Sequence, residues 1–506
     1  MIDVKQKIKE SKIIPELKAL LMEDCLLQLE SKYGLSKSGE FESITNLPNL
    51  FSNSIEKEIR TELENLIENK KISGVLPKLS VQDFVREYSY TYVNRFIALK
   101  LLEERKIILQ TVSKGYQSKG FIFYLADNPE SEAIYNQGKI YEAYKTFFNF
   151  QCKQISKDEE IKILFDPQTT ISKIFPLEKS LTKIFDLINK EDLEQIWKED
   201  EVIGWVYQYF IEDDKKKVFD KIYAEKQKMD LNDIAPATQI FTPKWIVKYL
   251  VENTLGRTWL RMHPDSSLRE KLSYFVPNEN DNETIEFKKV KDITLLDPAC
   301  GTMHFGMVAF DIFYDMYLEE IENAGKEGWP LRPSSENKED IPQLIIENNI
   351  YGIDIDHRSI QLSALSLYLK AKSLNKNVSI QKYNLVSTNI PTFTDSDIDN
   401  FVSSISSKYE ITKKLLKLIL PELNKAYYLG SLLKIEEKIS DFLSKEKVDI
   451  LEKFKSQLSL LSTAEERQLA FREDISWEEV KNELFTAIDD FLISGNGSRK
   501  SYLALG

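Results

Sequence analysis

The chain has 506 residues, of which 42% are hydrophobic and 29% charged, and its formal net charge is −13. This composition excludes a disordered or collagen-like chain, and the length suggests about three domains of roughly 150 residues each. Proteins that wrap nucleic acid without sequence preference are usually basic, because Lys and Arg neutralise the phosphates. We therefore expect any contact with DNA to be local, or to be supplied by another segment or protein.

Cysteine and histidine are scarce, with three of each in the chain. The cysteines form no CxxC pair and the histidines no cluster, so we expect neither a disulfide framework nor a metal site. The first ten residues are charged, and no apolar run approaches the ~18 residues that a membrane-spanning helix needs. These features predict a soluble, cytoplasmic protein that does not bind membranes.

Residues 1–228 have the pattern of a helical domain. Apolar residues recur at steps of three or four, for example in residues 88–106, and strand-like alternation is limited to short pieces such as residues 120–125. Another helix is predicted over residues 203–219, with aromatic side chains on or near one face. Stacking on nucleic-acid bases is one interpretation of such a stripe, but a packed helical core is the more common one.

Strands alternate with helices from about residue 231, which is typical of a parallel α/β sheet. One helix is predicted to begin with Thr242 as its cap and Pro243 in its first position, and to stop at Gly256. Three apolar runs follow and are predicted as strands or parts of strands. They cover residues 293–296, before a helix at 304–323; residues 350–355, before a helix to about Leu374; and residues 378–380, before Asn384.

Acidic residues end the first two of these strands. Asp297 opens a turn of small residues, and Asp354 lies at the end of the second strand. In a doubly wound sheet, such a turn and the helix start behind it bind a ligand, and a carboxylate on the second strand accepts the hydroxyls of a ribose. The turn lacks the GxGxxG pattern that binds a pyrophosphate, and no Walker motif is present. Because a carboxylate suits the ammonium of a methionine moiety, S-adenosylmethionine is favoured over NAD or ATP.

Three segments resemble conserved blocks of the adenine-N6 DNA methyltransferases. They are Phe241-Thr242-Pro243, the turn Asp297-Pro-Ala-Cys-Gly301 and residues 351–356 (YGIDID), in that order. Within that superfamily, nearly the whole chain is similar to the N-terminal half of the PglX family, the methyltransferases of BREX phage-defence systems. The closer match lies in residues 89–104, 203–211 and 237–260. The resemblance implies a site-specific DNA methyltransferase that uses S-adenosylmethionine, in a bacterial defence system similar to restriction–modification.

The resemblance also assigns roles to single residues. Residues 241–243 would border the methionine end of the cofactor, the turn would line its site, and Asp354 would hold the ribose hydroxyls. The implied cofactor-binding set is Phe241, Thr242, Pro243, Asp297, Pro298, Ala299, Gly301, Asp354 and Asn384. Asn384 stands where the family often has an aspartate near the adenine amino group. Met303 replaces a second glycine, and its side chain is expected to narrow the approach to the cofactor.

Each of these positions also has a plainer interpretation. The turn after Asp297 is explained as a tight chain reversal, and Asp354 as a residue that caps the next helix. His304 is better explained by its place at a helix start than as a catalytic base, and Cys300 by the need for a small residue than as a nucleophile. The order of the three blocks favours cofactor binding for the turn and for Asp354.

The loop that holds the flipped adenine in the resembled family, Asn/Asp-Pro-Pro-Tyr/Phe, is not found in the sequence, whose 16 prolines include no adjacent pair. We therefore expect no catalytic residue in this chain, and expect double-stranded DNA to be bound through a C-terminal portion that it lacks. Other proteins of a defence system are further expected partners.

The predicted class is α/β. A helical N-terminal domain (1–228) is followed by the first half of a Rossmann-like, S-adenosylmethionine-binding sheet (229–394) and by a helical extension (395–506). Three functions remain open for this arrangement. The first is the front part of an adenine methyltransferase, truncated or completed by a second polypeptide. The second is a non-catalytic, cofactor-binding module of a defence complex, and the third an oxidoreductase, which the missing GxGxxG disfavours.

Overall fold

The structure is a computed structural model, and it describes residues 12–47, 54–72, 76–157, 159–228, 234–239, 241–279, 283–387, 395–404 and 410–423, together with Thr486. These residues are mostly helical and include a three-stranded sheet. The chain forms two compact units: 1–228, 236–352 and 358–385 belong to the first, and 229–235, 353–357 and 386–506 to the second. The domain boundaries expected from the sequence stay predictions.

The described residues before Met229 are helical, as expected. The helices are α1 (Ile13–Ser31), α2 (Ser54–Ile72), α3 (Pro77–Glu104), α4 (Lys119–Asp127), α5 (Pro129–Asn136), α6 (Ile140–Ile155), α7 (Glu159–Phe165), α8 (Thr170–Lys173), α9 (Glu178–Ile188), α10 (Val202–Phe210) and α11 (Glu212–Tyr223). Helix α3 is buried along most of its length and packs against α1. It is the central helix of this part of the first unit.

Two predictions for this region need correction. Residues 120–125 are not a strand but lie inside α4, where Phe121 and Leu125 face the core four residues apart. The helix predicted over residues 203–219 is interrupted at Ile211 and continues as α11. The acidic run that follows Ile211 favours a new helix start, because carboxylates stabilise helix N-termini. The aromatic residues of α10 are buried, which confirms their assignment to the core.

The rest of the described chain alternates helices with strands. Its elements are α12 (Ile234–Thr238), α13 (Lys244–Val251), α14 (Arg257–Met262), α15 (Leu268–Lys271), β1 (Leu295–Asp297), α16 (His304–Asn323), α17 (Ile341–Leu344), β2 (Ile350–Asp354), α18 (His357–Leu374), β3 (Asn384–Ser387), α19 (Asp395–Ser404) and α20 (Glu410–Leu423). Helix α16 and strand β2 lie where the sequence predicted them. The sheet order is β1-β2-β3, and β1 pairs with β2 in parallel, with Asp297 opposite Gly352.

Three local predictions for the chain after residue 234 are wrong. Thr242 makes no capping hydrogen bond, because Pro243 occupies the cap position of α13. Gly256 does not end that helix; a π-helical turn (Glu252–Gly256) joins α13 to α14. A Cβ at position 256 would lie 2.8 Å from Leu272 Cδ1, so the glycine there permits close packing rather than a helix stop. The third strand is Asn384–Ser387 instead of residues 378–380.

Ion pairs join the helices of the first unit. Lys370 of α18 lies 2.8 Å from a carboxylate oxygen of Asp200 and 2.8 Å from one of Asp311. Burial alone lowers the pKa of Lys370, but the two carboxylates outweigh it and hold that pKa above its ordinary value. Tyr90 of α3 donates a hydrogen bond to the carbonyl of Arg358 at 2.9 Å. The bond between Tyr90 and Arg358 thus joins helices from the two halves of the sequence.

Among the residues that the structure describes, no helix combines the length and the apolarity needed to span a membrane. Those residues also contain no group of three or more His, Cys, Asp or Glu side chains placed to hold a metal ion.

A buried carboxylate anchors α16. Glu319 accepts hydrogen bonds from Trp259 Nε1 (2.8 Å), from the hydroxyls of Ser266 and Ser267, and from the Leu268 N–H (3.0 Å). Burial tends to raise the pKa of Glu319, but these donors outweigh it and hold the pKa below its ordinary value of 4.5. The charged form is therefore the one that the fold stabilises.

Replacing Glu319 with glutamine is expected to lower the free energy of unfolding by about 1–3 kcal/mol, because the amide cannot accept all of these bonds. Since the folded pKa lies below the unfolded value, the contribution is present above about pH 4.5 and is lost as the pH falls through the folded pKa. Urea unfolding at pH 7 and pH 4 measures both effects. The exposed Glu322→Gln is the control, and equal stability of the two variants would contradict the assignment.

Candidate functional site

The turn between β1 and α16 is tightly curved. Gly301 and Met303 adopt left-handed backbone conformations, with φ of 53° and 67°. Asp297 Oδ1 accepts a hydrogen bond from the backbone N–H of Ala299 at 3.1 Å, and Ser363 of α18 donates its hydroxyl to the Gly301 carbonyl at 2.8 Å. The turn is therefore held both by its own first residue and by the helix packed behind it.

Asp297 is partly buried at the end of β1. Burial raises the pKa of its carboxyl group above the ordinary value, although the bond from Ala299 acts in the opposite direction. A cation near this carboxylate would favour its charged form and lower the pKa again. The electrostatics of the turn therefore suit a positively charged ligand group better than a pyrophosphate.

The side chain of Met303 points away from the open side of the turn. It is completely buried, and a Cβ at Gly352 would lie 2.6 Å from Met303 Cε, while one at Gly306 would collide with Met303 Sδ. The two glycines thus make room for the methionine between α16 and β2. Met303 is not among the residues that line the cavity beside the turn, so its side chain does not narrow that cavity.

A cavity of about 100 Å³ lies beside the turn, within the first unit. One wall is the turn itself, at residues 299–302, with His304 and Phe305. A second wall is formed by Gln239, Phe241 and Thr242, from the segment before α13, and a third by one face of α10. Apart from Gly301 and its two chain neighbours, no atom of the described residues lies within 4 Å of the position where a Cβ of residue 301 would stand, so there is space for a ligand on this face.

Helix α10 packs closely against this site at Gly204. A Cβ at Gly204 would lie 2.7 Å from Phe241 Cζ and 3.0 Å from Thr302 Oγ1. The ring of Phe241 in turn contacts the ring of His304, with 4.5 Å between their centroids. Any side chain at position 204 would displace the phenylalanine that borders the cavity.

Four of the expected cofactor residues, Phe241, Thr242, Ala299 and Gly301, are brought together around this cavity. Two others, Asp297 and Pro298, line a second pocket of about 270 Å³ formed with α13 and β1. Pro243 is exposed next to Thr242 at the start of α13. The structure thus gathers the first two sequence blocks around one turn.

The two remaining expected residues have defined contacts of their own. Asp354, in the second unit, accepts the backbone N–H of Asp356 at 2.8 Å and so shapes the turn before α18. Asn384 is buried in the first unit, and its Nδ2 donates to the carbonyls of Ile346 (3.2 Å) and Glu347 (3.0 Å). Asn384 thus supports the backbone before β2, and its role towards a cofactor stays a prediction.

The sequence motifs do not include the residues that α10 and its C-cap Ile211 contribute. Gly204, Tyr207, Gln208 and Ile211 line the cavity. Their spacing of three, four and seven residues places them on one helical face. That periodicity is visible in the sequence, but nothing local in it shows that this face meets a turn almost 100 residues further along.

Comparison with known proteins identifies the family that the chain resembles. Residues 348–472 match the model of the Eco57I restriction-modification methylase family. The chain is 30% identical to the adenine-specific methyltransferase BrxX of Escherichia coli O9:H4 (strain HS) over 336 residues, which are 58% of this chain and 25% of BrxX. It is 27% identical to the adenine-specific methyltransferase PglX of Lacticaseibacillus casei (strain Zhang) over 407 residues, which are 70% of this chain and 32% of PglX.

The chain therefore spans about a quarter to a third of the length of the curated relatives that it matches. The matches confirm the family resemblance inferred from the sequence. The chain is a relative of the BREX-type adenine-specific methyltransferases BrxX and PglX.

Proposed function

We propose that this chain binds S-adenosylmethionine and forms the cofactor-binding part of a site-specific adenine-N6 DNA methyltransferase in a bacterial phage-defence system. The observation that carries the proposal is the cavity beside the β1–α16 turn, which joins Phe241 and Thr242 to Ala299 and Gly301. The names of the two relatives supply the reaction class. A Rossmann-like arrangement of the complete sheet belongs to the same proposal.

The cavity suits one end of this cofactor. Pockets that enclose whole ligands of comparable size measure roughly 300–1,000 Å³, whereas this cavity has about 100 Å³. The open face of Gly301 leaves space directly against the turn, where a side chain would otherwise stand. The amino-acid end of S-adenosylmethionine has the size and the polar character to fit there.

In this proposal each site residue has a role in binding or orienting the cofactor. The cofactor supplies the methyl group, and the chain holds and orients it. Phe241 and Thr242 border the methionine end, and the open face of Gly301 lets the cofactor approach the backbone. Asp297 does not line the cavity, and its carboxylate favours the cationic cofactor through its charge. The sequence motif assigns the ribose hydroxyls to Asp354.

Asp354→Ala is expected to weaken binding of S-adenosylhomocysteine by about 1–3 kcal/mol, because the ribose hydroxyls lose a charged acceptor. Isothermal titration of the wild-type chain and the variant measures the difference. Asp356→Ala removes a carboxylate two residues away and is expected to bind like the wild type. If Asp354→Ala kept full affinity, the ribose role would be wrong.

We also propose that double-stranded DNA is the substrate, and that other segments or proteins supply most of its contacts. The net charge of −13 gives this chain little general attraction for phosphates. Partners from a defence system are part of the same proposal, which for them rests on the resemblance to the methyltransferases of BREX systems.

A further inference from the structure

Helix α10 presents one side-chain amide to the cavity beside the turn. The face that lines the cavity consists of Gly204, Tyr207, Gln208 and Ile211. Of these, only Gln208 has a side-chain amide, with both donors and an acceptor. None of the motifs that suggested a cofactor site includes this residue.

The side-chain amide oxygen of Gln208 lacks a hydrogen-bond donor in the described part of the chain. Gln208 Oε1 is buried, and no donor among the described residues forms a hydrogen bond with it. Leaving a buried polar atom unsatisfied costs about 1–3 kcal/mol, and such atoms are uncommon in native proteins. A donor that enters the cavity with a ligand would remove this cost.

The composition of the cavity indicates which donor fits. Among the described residues that line it there is no Asp, Glu, Lys or Arg, so a ligand group with no net charge is favoured over an isolated ion. The amino-acid end of S-adenosylmethionine is a zwitterion of this kind, and its α-ammonium group carries three N–H donors. The aromatic rings of Tyr207 and Phe241 also line the cavity and attract a cationic group.

We propose that Gln208 accepts a hydrogen bond from the α-ammonium group of bound S-adenosylmethionine, so that the helical N-terminal part of the chain belongs to the cofactor site. This inference rests on the proposed function and adds a binding residue to it. Gly204 fits the same arrangement, because only a glycine lets α10 come close enough to Phe241 and Thr302. Gln208 would therefore favour ligands that carry an amino-acid end over nucleosides that lack it.

The experiment is isothermal titration of the 506-residue chain with two probes. S-adenosylhomocysteine carries the amino-acid end, and 5′-methylthioadenosine lacks it. Gln208→Met keeps the side-chain length but removes the acceptor. It is expected to bind S-adenosylhomocysteine about tenfold more weakly than the wild type, and to bind methylthioadenosine equally well.

Two further variants control for folding. Gln110→Met changes another glutamine whose buried Oε1 has no described donor but which does not line the cavity, and it is expected to leave both affinities unchanged. Gln208→Glu keeps an acceptor and is expected to bind S-adenosylhomocysteine at least as tightly as the wild type. A tenfold loss in Gln208→Glu would overturn the proposal.

The remaining outcomes separate this inference from the proposed function. If Gln208→Met bound S-adenosylhomocysteine like the wild type, water would satisfy Gln208 and the inference would fail while the proposed function stands. An equal loss for both probes would show a general structural effect and would also overturn it. If the wild-type chain bound neither probe, the proposed function would fail together with the inference.

Discussion

Duplex DNA incubated with the 506-residue chain and tritium-labelled S-adenosylmethionine is expected to gain no label above background. Adenine-N6 transfer requires a loop that holds the extruded base and offsets the few kcal/mol that unstacking costs. The sequence contains no adjacent prolines and hence no Asn-Pro-Pro-Tyr loop. We therefore expect the chain alone not to orient the adenine nitrogen towards the methyl group, and orientation contributes much of the rate.

The full-length relative from E. coli, named as an adenine-specific methyltransferase, is the positive control for this assay. Binding of S-adenosylhomocysteine by the same preparation shows that the chain is folded. Site-specific labelling of adenine by the 506 residues alone would contradict the expectation. The base-holding group would then have to be sought at Asn384 or in residues 387–397.

Gly204→Leu is expected to reduce the affinity for S-adenosylhomocysteine by about 100-fold. Overpacking of a tight contact costs about 1–3 kcal/mol and sometimes more, and a branched side chain at this position also enters the cavity. The first atom of that side chain would already lie 2.7 Å from Phe241 Cζ and 3.0 Å from Thr302 Oγ1. Isothermal titration measures the loss of affinity.

A double-mutant cycle tests the geometry behind this effect. Gly204→Ala is expected to lower the thermal stability of the wild-type chain and to have a smaller effect when Phe241 is leucine, because the shorter side chain leaves room for the new Cβ. Equal costs of Gly204→Ala in the two backgrounds would show that α10 does not press against Phe241. Full affinity in Gly204→Leu would show that the cavity is not the cofactor site.

Strong periodic patterns predicted the fold best. Helix α16 begins at His304 and ends at Asn323 as expected, because its apolar positions recur with helical spacing over five turns. Single-residue signals were weaker guides. Gly256 has the sequence context of a helix stop, but in the structure it allows close packing against Leu272. Pro243 occupies the cap position that Thr242 was expected to fill.

The candidate site was predictable where its residues follow one another in the sequence. The block at Phe241 and the turn at Ala299 and Gly301 meet around one cavity, as the order of the motifs indicated. The contribution of Gly204 and Gln208 was not predictable from local pattern, because their helix looks like an ordinary core helix with buried aromatic residues. Only tertiary packing shows that one of its faces lines a cavity.

Isothermal titration of the wild-type 506-residue chain with S-adenosylhomocysteine and with NAD tests the central claim most directly. We expect one S-adenosylhomocysteine site per chain and no comparable binding of NAD, because Asp297 opens a turn that lacks the glycines needed against a pyrophosphate. Tighter binding of NAD, or no binding of S-adenosylhomocysteine at millimolar concentration, would contradict the account.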